Sequence, residues 1–99
     1  MKYNLEYISV FFEDILEVET NLIEYPQKLK RIFSQIDKIL VNLVDMPHMY
    51  PVYQDFPLFR KITIEDYLLF YAVAGNTIEV HRLIYHKMDM QRIFDPWQS

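Results

Sequence analysis

The feature that most constrains the fold is a run of three extended segments separated by two-residue turns. Leu58–Ile64 alternates apolar and polar side chains, Tyr67–Ala74 is almost entirely apolar, and Thr77–His86 alternates again. The dipeptides Glu65-Asp66 and Gly75-Asn76 between them suit tight turns. The pattern predicts an antiparallel meander whose apolar middle strand is central in the sheet.

The residues before the meander predict a short strand and two helices. Residues 3–8 alternate as a strand does, and Ser9 is a candidate N-cap for a helix over about 9–24. A second, strongly amphipathic helix begins at Pro26, which suits a first helical turn, and ends before Pro47. For the first helix, the spacing predicts a core-facing stripe with one polar interruption: Phe12, Ile15, Leu16, Glu19, Leu22 and Ile23.

These elements predict an α+β fold in the order β-α-α-β-β-β, with an antiparallel helix hairpin packed on a twisted antiparallel sheet. The loop over 47–57 contains three prolines and several aromatic residues, so we expect it to pack against the sheet and helices. Asp89–Phe94 is a candidate for a short C-terminal helix. A length of 99 residues predicts one domain over residues 1–99.

Composition excludes several classes of function. The chain has no cysteine, which rules out disulfides, thiolate catalysis and cysteine-based zinc sites. It shows neither a signal-peptide pattern nor a run of about 18 apolar residues, so we expect a cytoplasmic protein without a membrane partner. The net charge of -4 argues against bulk electrostatic binding to nucleic acid. The acidic residues concentrate early, which predicts one acidic and one more basic face.

Common catalytic and ligand-binding motifs do not fit this sequence. The imidazoles are His48, His81 and His86, and the spacing of the last two places them on opposite faces of a strand, so we expect no metal site. A single glycine cannot build a phosphate-binding loop, and no serine lies in a glycine-flanked elbow. We therefore expect no cofactor.

A basic and aromatic group along the meander remains as the candidate site. Arginine and lysine side chains hold phosphates, while histidine and tyrosine transfer protons. The alternative is that the tyrosines fill a half-buried sheet face and the basic residues are solvated strand ends; both interpretations stay open. Arg82 interrupts an apolar strand face, which indicates either a bulge or a position facing a groove. The group comprises Arg60, Lys61, Tyr67, Tyr71, Arg82, Tyr85, His86 and Lys87.

Two segments of the meander, Phe59–Tyr71 and Ile78–Asp89, resemble the RelE/ParE toxins of type II toxin–antitoxin modules, a family linked to plasmid stabilisation. With the preceding helix hairpin, the resemblance covers essentially the whole chain. It implies a cupped sheet in a β-α-α-β-β-β fold and a cognate antitoxin that blocks the toxin. It also implies one of two activities: metal-independent, ribosome-dependent cleavage of mRNA that inhibits translation and growth, or poisoning of DNA gyrase.

The resemblance also implies roles for individual residues. Arg60 and Arg82 match two family arginines and would hold phosphate, and Tyr85-His86 resembles a Tyr-His pair in which the histidine is the general acid or base. Lys61 and Lys87 would bind the RNA backbone, and Asp89 matches the family's terminal aspartate. Two basic positions of the endoribonuclease pattern are replaced, by Leu68 and Met88.

Three functional hypotheses follow from these observations. The first is a toxin that acts as an mRNA endoribonuclease, with His86, Tyr85, Arg60 and Arg82 as catalytic residues. The second is a non-enzymatic protein, either a gyrase inhibitor or a degenerate toxin that only binds its antitoxin; the replacements at Leu68 and Met88 favour it. The third is a small α+β domain unrelated to toxins. Whether the chain is an enzyme stays open at this point.

Overall fold

The computed structural model describes residues 2–87, and the elements follow the predicted order. The candidate C-terminal helix over Asp89–Phe94, together with Met88, lies outside the described residues. The elements are β1 (Asn4–Tyr7), α1 (Ser9–Asn21), α2 (Pro26–Leu43), β2 (Arg60–Ile64), β3 (Tyr67–Ala74) and β4 (Thr77–Tyr85).

The strands form one sheet in the order β1-β4-β3-β2. The β2–β3 and β3–β4 pairs are antiparallel, as the meander predicts, whereas β1 runs parallel to β4. The sheet is therefore mixed rather than wholly antiparallel. Parallel neighbours need a crossover connection, which the helix hairpin and the strands after it supply. This arrangement leaves β1 and β2 at the two edges.

The meander follows the sequence prediction closely. β3 has the predicted bounds, and both predicted turns are present, with Gly75 at φ 61° and Glu65 at φ 55°. A glycine adopts this left-handed conformation without steric cost, whereas a glutamate needs support from its surroundings. β2 begins at Arg60 rather than Leu58 because the Phe59 amide donates to the Phe56 carbonyl, which keeps the chain in a turn up to that point.

Helix α1 differs from the prediction in both its ends. The N-cap is Ile8, and no side chain caps the helix, so the prediction of Ser9 as the cap was wrong; Ser9 is the first helical residue. The helix ends at Asn21 instead of 24. The Leu22 amide donates back to the Val18 carbonyl of the helix, and the Tyr25 amide donates to the Leu22 carbonyl in the short connection that leads into α2. Pro26 begins α2 as predicted.

The face that α1 turns to the core also differs from the prediction. The buried residues of this segment are Phe11, Asp14, Val18 and Leu22. Most of the predicted stripe faces outward instead: Phe12, Leu16 and Ile23 are 54%, 64% and 77% exposed. Helix α1 is apolar on two sides, so its helical period alone does not decide which side meets the sheet.

Two apolar layers cover the sheet, one on each face. On the helix face, side chains such as Leu69, Tyr71 and Val80 pack against α1 and α2. On the opposite face, which we call the loop face, Phe70 and Ile84 pack against aromatic residues of the connection between α2 and β2: Tyr53, Phe56 and Phe59. The prediction that this proline-containing loop packs against the fold is therefore confirmed.

Candidate functional site

Arg82 forms a buried ion pair with Asp14 of α1. Its Nε and Nη2 atoms donate to the two carboxylate oxygens at 2.7 and 2.9 Å, and the carboxylate also accepts from the Leu83 amide at 3.0 Å. The side chains are 15% and 5% exposed. A two-bond pair of this kind fixes the guanidinium in one orientation.

A bulge in β4 explains why Arg82 reaches α1. Phe70 pairs with Arg82 and Tyr71 pairs with Val80, so His81 is the extra residue of β4. Strand β1 has already ended at this level, because its last residue, Tyr7, pairs with Val80. The edge of β4 beyond Val80 therefore faces α1. The Asp14 carboxylate accepts the hydrogen bond from the Leu83 amide, which a neighbouring strand would otherwise accept. The sequence left two interpretations of Arg82 open, a bulge in the strand or a position that faces a groove. The structure contains both features, because β4 has the bulge and Arg82 lines a groove.

Arg60 stabilises the loop that follows α2. Its Nη1 atom donates to the Tyr50 carbonyl at 2.6 Å and to the His48 carbonyl at 3.4 Å. The neighbouring Tyr71 hydroxyl donates to the Pro47 carbonyl at 2.8 Å, and burial raises the pKa of this tyrosine above its ordinary value. The arginine and the tyrosine thus hold the start of the loop beside β2 and β3.

Two further candidate residues line a different part of the surface, toward the β2–β3 turn. Lys61 and His86 line a shallow hollow of about 660 Å³ together with Thr63 and Leu68. The Lys61 ammonium lies 5.1 Å from the centre of the Tyr53 ring, a cation–π distance. His86 and Lys87 are exposed after the end of β4.

Tyr85 belongs to a different part of the surface. Its ring packs edge-to-face against Tyr67, with centroids 5.8 Å apart, and both rings line a groove between α1 and β4. This groove, of about 350 Å³, is also lined by Asp14, Glu17 and Arg82. We call it the α1–β4 groove.

The strand register shows that the four candidate catalytic residues do not form one cluster. Arg60 pairs with Tyr71, whereas Tyr85 pairs with Tyr67, four residues along β3. At about 3.3 Å per residue, these two levels are about 13 Å apart. The structure therefore brings Lys61 and His86 to one hollow and Arg82 and Tyr85 to another groove, and Arg60 lines neither of them.

Acidic residues surround the end of the sheet where His86 lies. Glu65 accepts from Arg31 at 3.1 and 3.2 Å and from Gln35 at 2.9 Å, and Asp66 accepts from Lys28 at 2.7 Å. The hydrogen bond from Arg31 lowers the pKa of Glu65, and the one from Lys28 lowers the pKa of Asp66. Helix α2 thus stabilises the β2–β3 turn, including Glu65 in its left-handed conformation. The two carboxylates of the turn, which lie near His86, are thus each balanced by a basic residue of α2.

Asp14 is the residue that sequence reasoning missed. It lies at helical spacing between Phe11 and Val18, which are both buried, so a carboxylate interrupts the inner stripe of α1. A charge at such a position needs a partner, because an uncompensated buried charge is costly. That spacing was the available signal, although it could not identify Arg82 as the partner. Within residues 2–87, no group of three or more His, Asp or Glu side chains is arranged to hold a metal, and no helix is long and apolar enough to cross a bilayer.

This fold occurs in several solved bacterial toxins. A structure of the chromosomal ParDE toxin–antitoxin system from P. aeruginosa superposes with a TM-score of 0.69 at 16% identity, covering 85% of this chain and 96% of that chain. YafQ in the E. coli DinJ–YafQ complex superposes with a TM-score of 0.56 at 18% identity, covering 87% of this chain and 94% of that chain. YafQ from E. coli strain BL21(DE3) superposes with a TM-score of 0.56 at 19% identity, covering 85% of this chain and 93% of that chain. At these identities the likeness shows a shared fold.

The sequence itself identifies the family. The profile of the family described as "ParE toxin of type II toxin-antitoxin system, parDE" matches residues 11–90. The chain therefore belongs to the ParE toxin family, within the RelE/ParE superfamily of type II toxins, and the predicted resemblance is confirmed. No curated protein sequence is significantly similar to it.

Proposed function

We propose that this toxin acts by binding a protein target, DNA gyrase, and not by cutting RNA. It acts in the cytoplasm and is held inactive by a cognate antitoxin. The titles of two similar structures describe a toxin–antitoxin system and a toxin–antitoxin complex, which supports an antitoxin partner for this family member as well.

The observation that carries this proposal is the ion pair between Arg82 and Asp14. Cleavage through the 2′-hydroxyl builds negative charge on the phosphate, and positive groups must face that charge. Arg82 is the candidate for this role in β4, but its guanidinium already binds a carboxylate that is 4% exposed. Moving it to a phosphate would leave Asp14 buried and uncompensated, at a cost of about 3–5 kcal/mol.

Arg60 and the two sequence departures support the same conclusion. Arg60 binds backbone carbonyls of the loop and lies about 13 Å along the sheet from the level of Tyr85. Leu68, one of the replaced basic positions, packs against the loop-face core. A surface of this kind is better suited to a protein target than to a polyanion.

Ribosome-dependent mRNA cleavage is the second candidate function. It is favoured by the hollow that Lys61 and His86 share, since a lysine could hold a phosphate there and the histidine could transfer a proton. Lys87 adds a positive charge next to His86. In this alternative the working groups are Lys61, His86 and Lys87, without Arg82.

A pair of parallel assays separates the two functions. The purified chain is incubated with DNA gyrase and supercoiled plasmid, and with ribosomes translating an end-labelled mRNA. We expect cleaved gyrase–DNA complexes and intact mRNA. We also expect His86→Ala and Lys61→Ala to leave gyrase poisoning unchanged. Cleavage of mRNA that His86→Ala abolishes would reject the proposal in favour of the second candidate. Inactivity in both assays, with stable antitoxin binding, would indicate a degenerate toxin.

A further inference from the structure

Helix α1 carries a second apolar face that is largely exposed; within residues 2–87, the ring of Tyr7 packs against Phe12 at its first turn. Phe12, Leu16 and Ile23 are all more than half exposed. At 3.6 residues per turn, Phe12 and Leu16 lie within an arc of about 40° on α1, on a different side from the buried residues Phe11 and Val18. Ile23 follows in the connection after the helix ends at Asn21. The outer side of α1 therefore has a short apolar stripe of the kind that a helix normally turns toward a partner.

Acidic side chains flank this stripe. Glu13 and Glu17 lie along one side and Glu19 along the other by the same helical count. Residues 3–27 contain six acidic residues and no lysine or arginine, whereas the whole chain has a net charge of -4, so the remainder carries +2. Asp14 is neutralised by Arg82, and the five glutamates of the segment are exposed. The negative surface charge of the protein is thus concentrated around α1.

We propose that this surface binds an amphipathic segment of the cognate antitoxin whose apolar stripe is flanked by arginine and lysine. The identity of the partner rests on the proposed function, but the chemistry of the segment follows from α1 alone. A second copy of the chain, bound through the same surface, would place glutamates against glutamates. Nucleic acid would be repelled by the same charges. We call this surface the α1 docking face; it comprises Phe12, Glu13, Leu16, Glu17, Glu19 and Ile23.

The α1–β4 groove extends the docking face on one side. Glu17 belongs to both, because it flanks the stripe and also lines the groove. Inside the groove are the rings of Tyr67 and Tyr85 and the apolar side chain of Val18. An arginine that enters there meets a carboxylate at the rim and aromatic rings below it, the combination that favours a guanidinium. The charge of Arg82, which also lines the groove, is balanced by Asp14. The flanking arginine on this side of the antitoxin segment would therefore enter the groove.

Calorimetric titration with synthetic peptides tests the chemistry of the face. The first probe is a helical peptide as long as α1, with a leucine stripe flanked by arginines; the second is identical but has glutamates in place of the arginines. We expect the full-length toxin to bind the arginine peptide at least about tenfold more tightly. Leu16→Ala and Glu17→Arg should each weaken that binding by about tenfold.

Two matched controls test whether the binding is specific. Val41→Ala removes an apolar side chain from α2 that is 68% exposed, close to the 64% of Leu16. Asp45→Arg makes the same charge reversal as Glu17→Arg but after the end of α2. Both variants should bind the arginine peptide as the wild type does. Equal binding of the two peptides, or equal weakening by all four substitutions, would overturn the proposal.

Hydrogen exchange on the assembled complex tests the partner. The complex of the toxin with the antitoxin encoded beside it should show slowed exchange along α1, and the complex with gyrase should not. Protection of α1 by gyrase but not by the antitoxin would overturn the assignment of the occupant. Because gyrase poisoning is assayed separately, an active toxin whose α1 binds neither the arginine peptide nor the antitoxin would refute this inference and leave the proposed function intact.

Discussion

Replacing Asp14 with alanine should destabilise the protein strongly. The substitution removes the two carboxylate oxygens that accept from the Arg82 guanidinium, which is 15% exposed, together with the acceptor of the Leu83 amide. Breaking a buried ion pair by removing one of its members costs about 3–5 kcal/mol, out of a total of about 5–15 kcal/mol for a typical domain. We therefore expect Asp14→Ala to lose about 4 kcal/mol of the free energy of unfolding.

A double variant separates the cost of burying one charge of the broken pair from the value of the pair itself. In Asp14→Leu with Arg82→Met, apolar side chains replace both charges, so no unpaired charge is buried. The Leu83 amide still lacks its acceptor, which costs about 1–3 kcal/mol. The double variant should therefore be more stable than Asp14→Ala, although it has lost more polar contacts. Glu17→Ala, an exposed change one turn away, should stay within about 0.5 kcal/mol of the wild type.

Urea unfolding followed by circular dichroism measures all three variants. With a slope of about 2 kcal/mol per molar urea, the loss predicted for Asp14→Ala lowers the midpoint by about 2 M. The reasoning is refuted if Asp14→Ala loses less than about 1 kcal/mol, or if the double variant is as unstable as the single one. Either result would mean that the Arg82 guanidinium finds water or another acceptor without cost.

Three further predictions concern the turns and the loop. Arg31→Met should move the acid unfolding midpoint to higher pH. The hydrogen bond from Arg31 lowers the pKa of Glu65 in the folded protein, which stabilises the fold above the unfolded-state pKa of about 4.3. This stabilisation is lost as the pH falls through the pKa of Glu65 in the folded protein, and the variant lacks it from the start. Gly75→Ala should cost about 1 kcal/mol in urea unfolding, because φ is 61° and no atom within 4 Å would contact the added carbon. Tyr71→Phe should cost about 1 kcal/mol, because the Pro47 carbonyl loses its donor.

Each of these three predictions has an outcome that would contradict it. An unchanged acid midpoint in Arg31→Met would show that the ion pair does not stabilise the turn at low pH. Gly75→Asn is the control for the glycine, since asparagine tolerates the left-handed region; a larger loss for asparagine than for alanine would show that strain is not the cause. A Tyr71→Phe variant as stable as the wild type would show that water replaces the hydroxyl.

The meander could be predicted from the sequence because its signals are local. Alternation along β2 and β4, an apolar β3 and turn residues at Glu65 and Gly75 all lie within the segment that they shape. The parallel pairing of β1 with β4 has no such signal, since it joins residues more than 70 positions apart, such as Asn4 and Thr77.

Helix α1 shows why the buried face was not predictable from period alone. Phe11 and Phe12 are adjacent, and each begins an apolar stripe. Packing against β4 selects the stripe of Phe11, which leaves the stripe of Phe12 outside. The same ambiguity concealed Asp14, whose burial is evident only once the inner face is known.

The candidate site could be predicted in part. The break in the apolar face of β4 correctly marked Arg82 as unusual, but its partner lies 68 residues earlier in the chain. Similarly, the carbonyls that Arg60 binds belong to a loop conformation that no sequence motif specifies. Resemblance to the family indicated which residues to consider, whereas the ion pairs determine which of them remain available for chemistry.

The links from β1 and α1 to β4 have a consequence for the order in which the chain folds. Translation releases the N-terminus first, so β1 and the Asp14 carboxylate leave the ribosome while their partners in β4 are still unmade. Closing contacts across so long a chain is entropically slow, and it cannot begin before Thr77 has emerged. A translation product that stops before Thr77 lacks both the strand that pairs with β1 and the counterion of Asp14. Interrupted synthesis therefore yields an unassembled chain and not a shortened toxin.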